Sequence, residues 1–167
     1  CDGPMYQNEQ VVVAGGGDSA LQEALVLANY CKAVRIIHRG GKFRAQPHYI
    51  EAVAANPKIT TTWNATIEAI GGSKMVEHIR IKHADGRAEE FPCAGVFAYI
   101  GLAPNTDFVP PEVARDVAGC VITQDSLETA LPGMWAIGAV RSGYGGMLPD
   151  AMDEARRVAA AISARLT

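Results

Sequence analysis

Cysteine is scarce in this chain, and the four present, Cys1, Cys31, Cys93 and Cys120, include no two at Cys-x-x-Cys spacing. That spacing pattern argues against a disulfide framework and against a zinc site, and no metal is expected. Long apolar runs are also missing. None approaches the roughly 20 residues needed to cross a bilayer, and no basic-then-apolar leader opens the sequence. No membrane partner is therefore expected, and a cytoplasmic location is. Basic charge is not in excess, with 15 Lys and Arg against 18 Asp and Glu, and it gathers in no stripe, so no nucleic-acid partner is expected. The first residue is Cys1 rather than methionine, which leads to the expectation of a segment of a longer polypeptide. What is plentiful is apolar side chain: 49% of 167 residues, enough to build the core of one domain and part of another.

Periodicity and punctuation order the elements. Val11-Val12-Val13-Ala14 is a short β-branched run ending at Gly15-Gly16-Gly17, as expected of a strand covered on both faces. Ala20, Leu21, Ala24, Leu25 and Ala28 recur at helical spacing, and Val34 to Ile37 supplies a second strand. Gln46 to Ala55 reads as a helix closed by Asn56-Pro57. Four β-prone runs follow, at 59–63, 66–70, 76–82 and 89–91. With Asp85-Gly86 as a hairpin signal, they predict an antiparallel meander. Gly95 to Ile100 returns as a strand able to rejoin the parallel sheet. Pro104, Pro110 and Pro111 mark a domain boundary. Beyond them, short strands are expected at 120–123 and 134–137, then a glycine-rich stretch 138–146 and a helix from about Pro149 to Arg165. The fold class is thus α/β, a Rossmann-like parallel sheet with an antiparallel meander.

The turn Gly15, Gly16, Gly17, Asp18, Ser19, Ala20 contains Gly-x-Gly-x-x-Ala between a strand and a helix. The first glycine serves a tight turn, the second lets backbone approach a pyrophosphate, and the small last residue lets helix and strand pack closely. Phosphates would meet the free N–H groups of the helix mouth. Such turns also occur without ligand, so the second strand matters. It ends Ile37-His38-Arg39, where a carboxylate would normally bond the ribose of NAD. Arg39 and Arg44 are placed to hold the extra phosphate of NADP, with Lys42 adding a point charge, which favours NADPH. Solvated loop charge is the plainer reading of the same arginines. His38 is expected to stack or pack, and Asp18 to accept backbone N–H bonds at its own helix start.

Taken together, Cys1-Asp2-Gly3, the Gly15 to Ala20 turn, His38-Arg39 with Phe43-Arg44-Ala45, and Gly101 with Pro104-Asn105-Thr106 resemble the low-molecular-weight thioredoxin reductase family in order and spacing. That resemblance implies an NADPH domain at 6–97 and the C-terminal segment of an FAD domain at 98–167, the N-terminal FAD segment not being among these residues. It implies Cys1 as the flavin-side cysteine of a redox pair and Asp2 as its acid/base neighbour. It places Gly101 among the cofactor-binding residues, and Gly138, Ala139 and Val140 at the flavin through backbone N–H groups. The implied activity passes hydride from NADPH through FAD to a disulfide of a thioredoxin-like protein or a small substrate, in a homodimer. Cys31, Cys93 and Cys120 are expected to pack as apolar residues.

The sequence departs from the family at two places. Gly40 stands where a second arginine is usual, and Ala139 where an aspartate usually holds the flavin's ribityl side. The stretch after Gly143 still offers a helix mouth that could face a ligand. Two other readings stay open: a ferredoxin- or flavodoxin-reductase-like flavoprotein, and an NADP(H)-binding module without chemistry of its own.

Overall fold

The computed structural model describes residues 2–166. Contacts divide the chain into two compact units that meet in sequence between Gly101 and Leu102.

In the first unit, strand β1 (Gln10–Gly15) leads into helix α1 (Asp18–Ala28), and the chain returns through β2 (Ala33–His38). Helix α2 (Pro47–Ala55) and strand β3 (Ile59–Trp63) follow, and β7 (Gly95–Tyr99) joins much later. These strands form one parallel sheet in the order β3-β2-β1-β7. Alternation along β1 sets its two faces. Val11 and Val13 pack with Ala20, Leu21, Ala24 and Leu27 of α1, while Val12 packs on the other side with Ile37, Ile79 and Ile81. Leu21 and Leu27 are wholly buried, each stabilising the unit by about 2 kcal/mol relative to exposure. The second layer on that far side is an antiparallel sheet of β4 (Ala65–Gly71), β5 (His78–His83) and β6 (Ala88–Pro92). Its hairpin turns at Asp85-Gly86, where Gly86 has φ +88°.

One expectation is corrected here. The run 59–63 belongs to the parallel sheet, pairing with β2 from Val34↔Ile59 to His38↔Trp63, and not to the meander. Side-chain type does not separate parallel from antiparallel strands. The preceding helix does, because a strand reached by a helical crossover runs parallel to the one before it. Asn64, at φ +52°, then turns the chain from one sheet to the other.

The second unit contains a small core of Val113, Val121 and Ala136, flanked by Val109, Met134 and Val140, and the long helix α3 (Leu148–Leu166). The strands expected at 120–123 and 134–137 do not form. Those segments make isolated bridges only, Arg115↔Val121, Val121↔Arg141 and Glu128↔Trp135. Gly119 and Gly133, at φ +86° and +84°, bend the backbone beside each run, so no ladder extends. Among the described residues, no helix is long and apolar enough to cross a membrane, and no group of His, Cys, Asp and Glu is arranged to hold a metal ion.

Candidate nucleotide-binding site

The site is built where β1 ends. Gly15 has φ +146°, and a Cβ there would overlap the Tyr99 carbonyl of neighbouring β7 and stand 2.9 Å from the Ala20 Cβ. Glycine and a small residue are thus required together by helix–strand packing. Gly16 is buried, and a Cβ on it would run into the His38 ring. Above Gly17 there is open space, with no atom within 4 Å of a built Cβ. Gly17 is also the residue before α1, and no side chain caps the helix there. An open backbone at an uncapped helix mouth suits an anion. Ser19 is exposed on the first turn.

Three ties hang the loop after β2 on this turn. The Arg44 N–H donates to the Gly16 carbonyl at 2.8 Å. The Gln46 N–H donates to Asp18 Oδ1 at 2.7 Å, and Gln46 Nε2 donates to Asp18 Oδ2 at 2.7 Å. These bonds, the side-chain one first, hold the Asp18 carboxyl below the usual aspartate range. The expectation for Asp18 is corrected accordingly. Its carboxylate accepts from the start of α2, since Gln46 is the residue preceding that helix, and not from its own helix. The sequence gives little warning of this, because the partners stand 28 residues apart.

His38 packs in the floor of the loop. Its Nε2 donates to the Lys42 carbonyl at 3.0 Å, and its ring lies 5.8 Å from Phe43 and 6.0 Å from Trp63, which are themselves 4.4 Å apart. Trp63 was not singled out from sequence. The register that sets it beside His38 depends on β3 being parallel. Arg39, Lys42 and Arg44 are exposed. The arginines that form ion pairs among the described residues are Arg35, Arg80, Arg141, Arg157 and Arg165, so the guanidinium groups of Arg39 and Arg44 are uncommitted by that measure. The backbone of Arg44 is tied to the glycine turn, and uncommitted guanidinium groups on this loop suit a multiply charged phosphate ligand.

Asp2 is exposed and its charge reaches Tyr99, whose hydroxyl is pushed up by burial first and then by Glu23 and Asp2. That places Asp2 near the end of β7. Cys1 lies outside the described residues. Gly101 follows β7 with φ +104° and is exposed. Cys31 and Cys93 are buried in the two cores of the first unit, and burial pushes both thiols up.

The residues expected to meet a flavin lie in the second unit, where Gly138–Val140 forms a short 3-10 turn. The Gly138 N–H donates to Glu154 Oε2 at 2.7 Å. Ala139 is exposed, and its side chain supplies no acceptor. At the start of α3, Asp150 Oδ2 accepts the Met147 N–H at 3.1 Å, so that helix mouth carries its own anion. Sequence reading missed Glu154, which is 4% exposed and ion-paired with Arg141. Asp150 and Asp153 stand on the same helix, so residue type alone did not single Glu154 out.

Comparison with known proteins agrees with this geometry. Residues 2–162 match the sequence profile of the pyridine nucleotide-disulphide oxidoreductases. The thioredoxin reductase of Treponema pallidum is 39% identical over 143 residues, covering 85% of this chain and 46% of that protein. That of Chlamydia trachomatis is 40% identical over 148 residues, covering 86% and 47%. The crystal structure of Lactococcus lactis thioredoxin reductase in its FR conformation superposes with a TM-score of 0.87 at 34% identity, covering 96% of this chain and 54% of that one. The chain thus spans about half the length of the relatives it matches. On the profile match and on the glycine turn with its arginine-bearing loop, this chain belongs to the pyridine nucleotide-disulphide oxidoreductase family and is similar within it to thioredoxin reductases.

Proposed function

We propose that this chain provides the NADPH site of a flavoprotein disulfide reductase acting on a thioredoxin-like protein or a small disulfide, in the cytoplasm and as a homodimer. Residues 6–97 are the NADPH domain in this reading, and 98–167 the C-terminal segment of the FAD domain. The observation that carries it is the backbone bond from Arg44 to Gly16, which sets an arginine loop beside an open helix mouth. The pyrophosphate meets the amides of Gly15 to Ala20, and Arg39 and Arg44 take the 2′-phosphate. Bound flavin would supply the two-electron relay between nicotinamide and disulfide. Asp2 exchanges the accompanying proton with the thiol of Cys1, since a carboxyl group is suited to moving protons between sulfur and water.

The test is direct titration with NADPH and NADH. Wild type is expected to prefer NADPH, and Arg39→Ala with Arg44→Ala to lower that preference by about tenfold or more, as two charge-assisted phosphate contacts are lost. An unchanged ratio of affinities would remove both arginines from the site.

A specific observation favours a second reading, a nucleotide-binding module without redox chemistry. The flavin-side turn has Ala139 in place of a carboxylate, and its Gly138 N–H is engaged by Glu154. Saturable quenching of added FAD fluorescence by this chain would overturn the second reading.

A further inference from the structure

Asp18 presents a physical puzzle. It places a carboxylate on the first residue of α1, beside the helix mouth that suits phosphate, where like charges repel. The gain visible among the described residues lies in its two 2.7 Å bonds to Gln46. Gln46 ends the segment that begins at Arg39, and between them Arg44 is bonded to Gly16. With His38 bonded to the Lys42 carbonyl, the segment is fixed at both ends and in its middle.

We propose that Asp18 and Gln46 are a positioning pair that latches the arginine loop against the glycine turn, so that Arg44 is held where a 2′-phosphate would lie. The inference rests on the NADPH reading above and deepens it. Asp18 touches no ligand in this scheme. It gives up some attraction for the pyrophosphate shared by all dinucleotides, and in return orders the loop that distinguishes the phosphorylated one. Asparagine can perform the same latch without the charge: its Oδ1 accepts the Gln46 N–H, and its Nδ2 donates to the Gln46 side-chain oxygen once that amide rotates.

The experiment measures dissociation constants of the 167-residue chain for NADPH and NADH, using wild type, Asp18→Ala, Asp18→Asn and Gln46→Ala. Asp18→Ala is expected to weaken NADPH about tenfold while leaving NADH within about twofold. Gln46→Ala, which keeps the backbone bond, shifts the ratio the same way by about threefold and serves if Asp18→Ala fails to fold. Asp18→Asn is expected to restore the wild-type ratio and to tighten both ligands. A wild-type ratio in Asp18→Ala and Gln46→Ala would overturn the latch while leaving the NADPH reading intact. So would loss of the preference in Asp18→Asn to the level of Asp18→Ala. A wild-type chain with no preference at all would overturn the NADPH reading itself, and the latch with it.

Discussion

Gly16 and His38 illustrate how one contact couples turn and loop. The imidazole occupies the space that a side chain at residue 16 would need, and its Nε2 holds the Lys42 carbonyl at 3.0 Å. Gly16→Ala is expected to displace the ring, break that bond and lower stability by about 1–3 kcal/mol, the usual range for overpacking a filled site. Thermal unfolding checks this, and a wild-type midpoint would mean that the ring moves aside freely. Residue identity alone revealed the glycines, because strand, Gly-x-Gly-x-x-Ala and helix appear in the required order. It did not reveal why the middle glycine is there, since that reason is a histidine on the next strand. The role of Gln46 was hidden in the same way: its position before Pro47 signals a helix start, but nothing local names Asp18 as its partner.

The legibility of each element follows the range of its interactions. β1, α1 and β2 were readable because their periodicities are local and their connections short. β3 was misplaced because its direction depends on the crossover before it, and the runs at 120–123 and 134–137 were overcalled because β-prone residues make strands only where an edge accepts several bonds in succession. α3 was placed correctly, yet its tie to the Gly138–Val140 turn was not foreseen. Glu154 there accepts Arg141 Nε at 3.0 Å and the Gly138 N–H at 2.7 Å, and the Arg141 side chain holds its carboxyl below the usual glutamate range. A depressed pKa in the folded state means that the charged form adds stability above the ordinary value of 4.5, and that this is lost as pH falls through the depressed value. Glu154→Gln is accordingly expected to cost about 2 kcal/mol at neutral pH. The gap in thermal midpoint between wild type and variant should close as pH drops below 4.5. A gap independent of pH would assign the effect to shape rather than charge.

At the scale of the molecule, every residue assigned to the dinucleotide precedes Leu102, and the unit that ends at Gly101 has its own two apolar cores. Residues 1–101 expressed alone are therefore expected to fold and to retain the full-length ratio of NADPH to NADH affinity within about twofold. Equilibrium binding on the shortened chain checks this; a lost preference would show that the remaining residues shape the site. The exposed backbone after Tyr99, with Ile100 at 79% and Leu102 at 98% exposure, is a suitable place to make the cut.

The stretch from His38 to Gln46 is anchored at its beginning, near its middle and at its end. Its length is therefore a fixed quantity: an inserted or deleted residue would put at least one anchor out of reach, whereas exchange of an outward-pointing side chain would cost the scaffold nothing. Drift or redesign of coenzyme choice in this lineage is open to substitution at exposed Arg39, Lys42 and Arg44 and closed to changes of spacing.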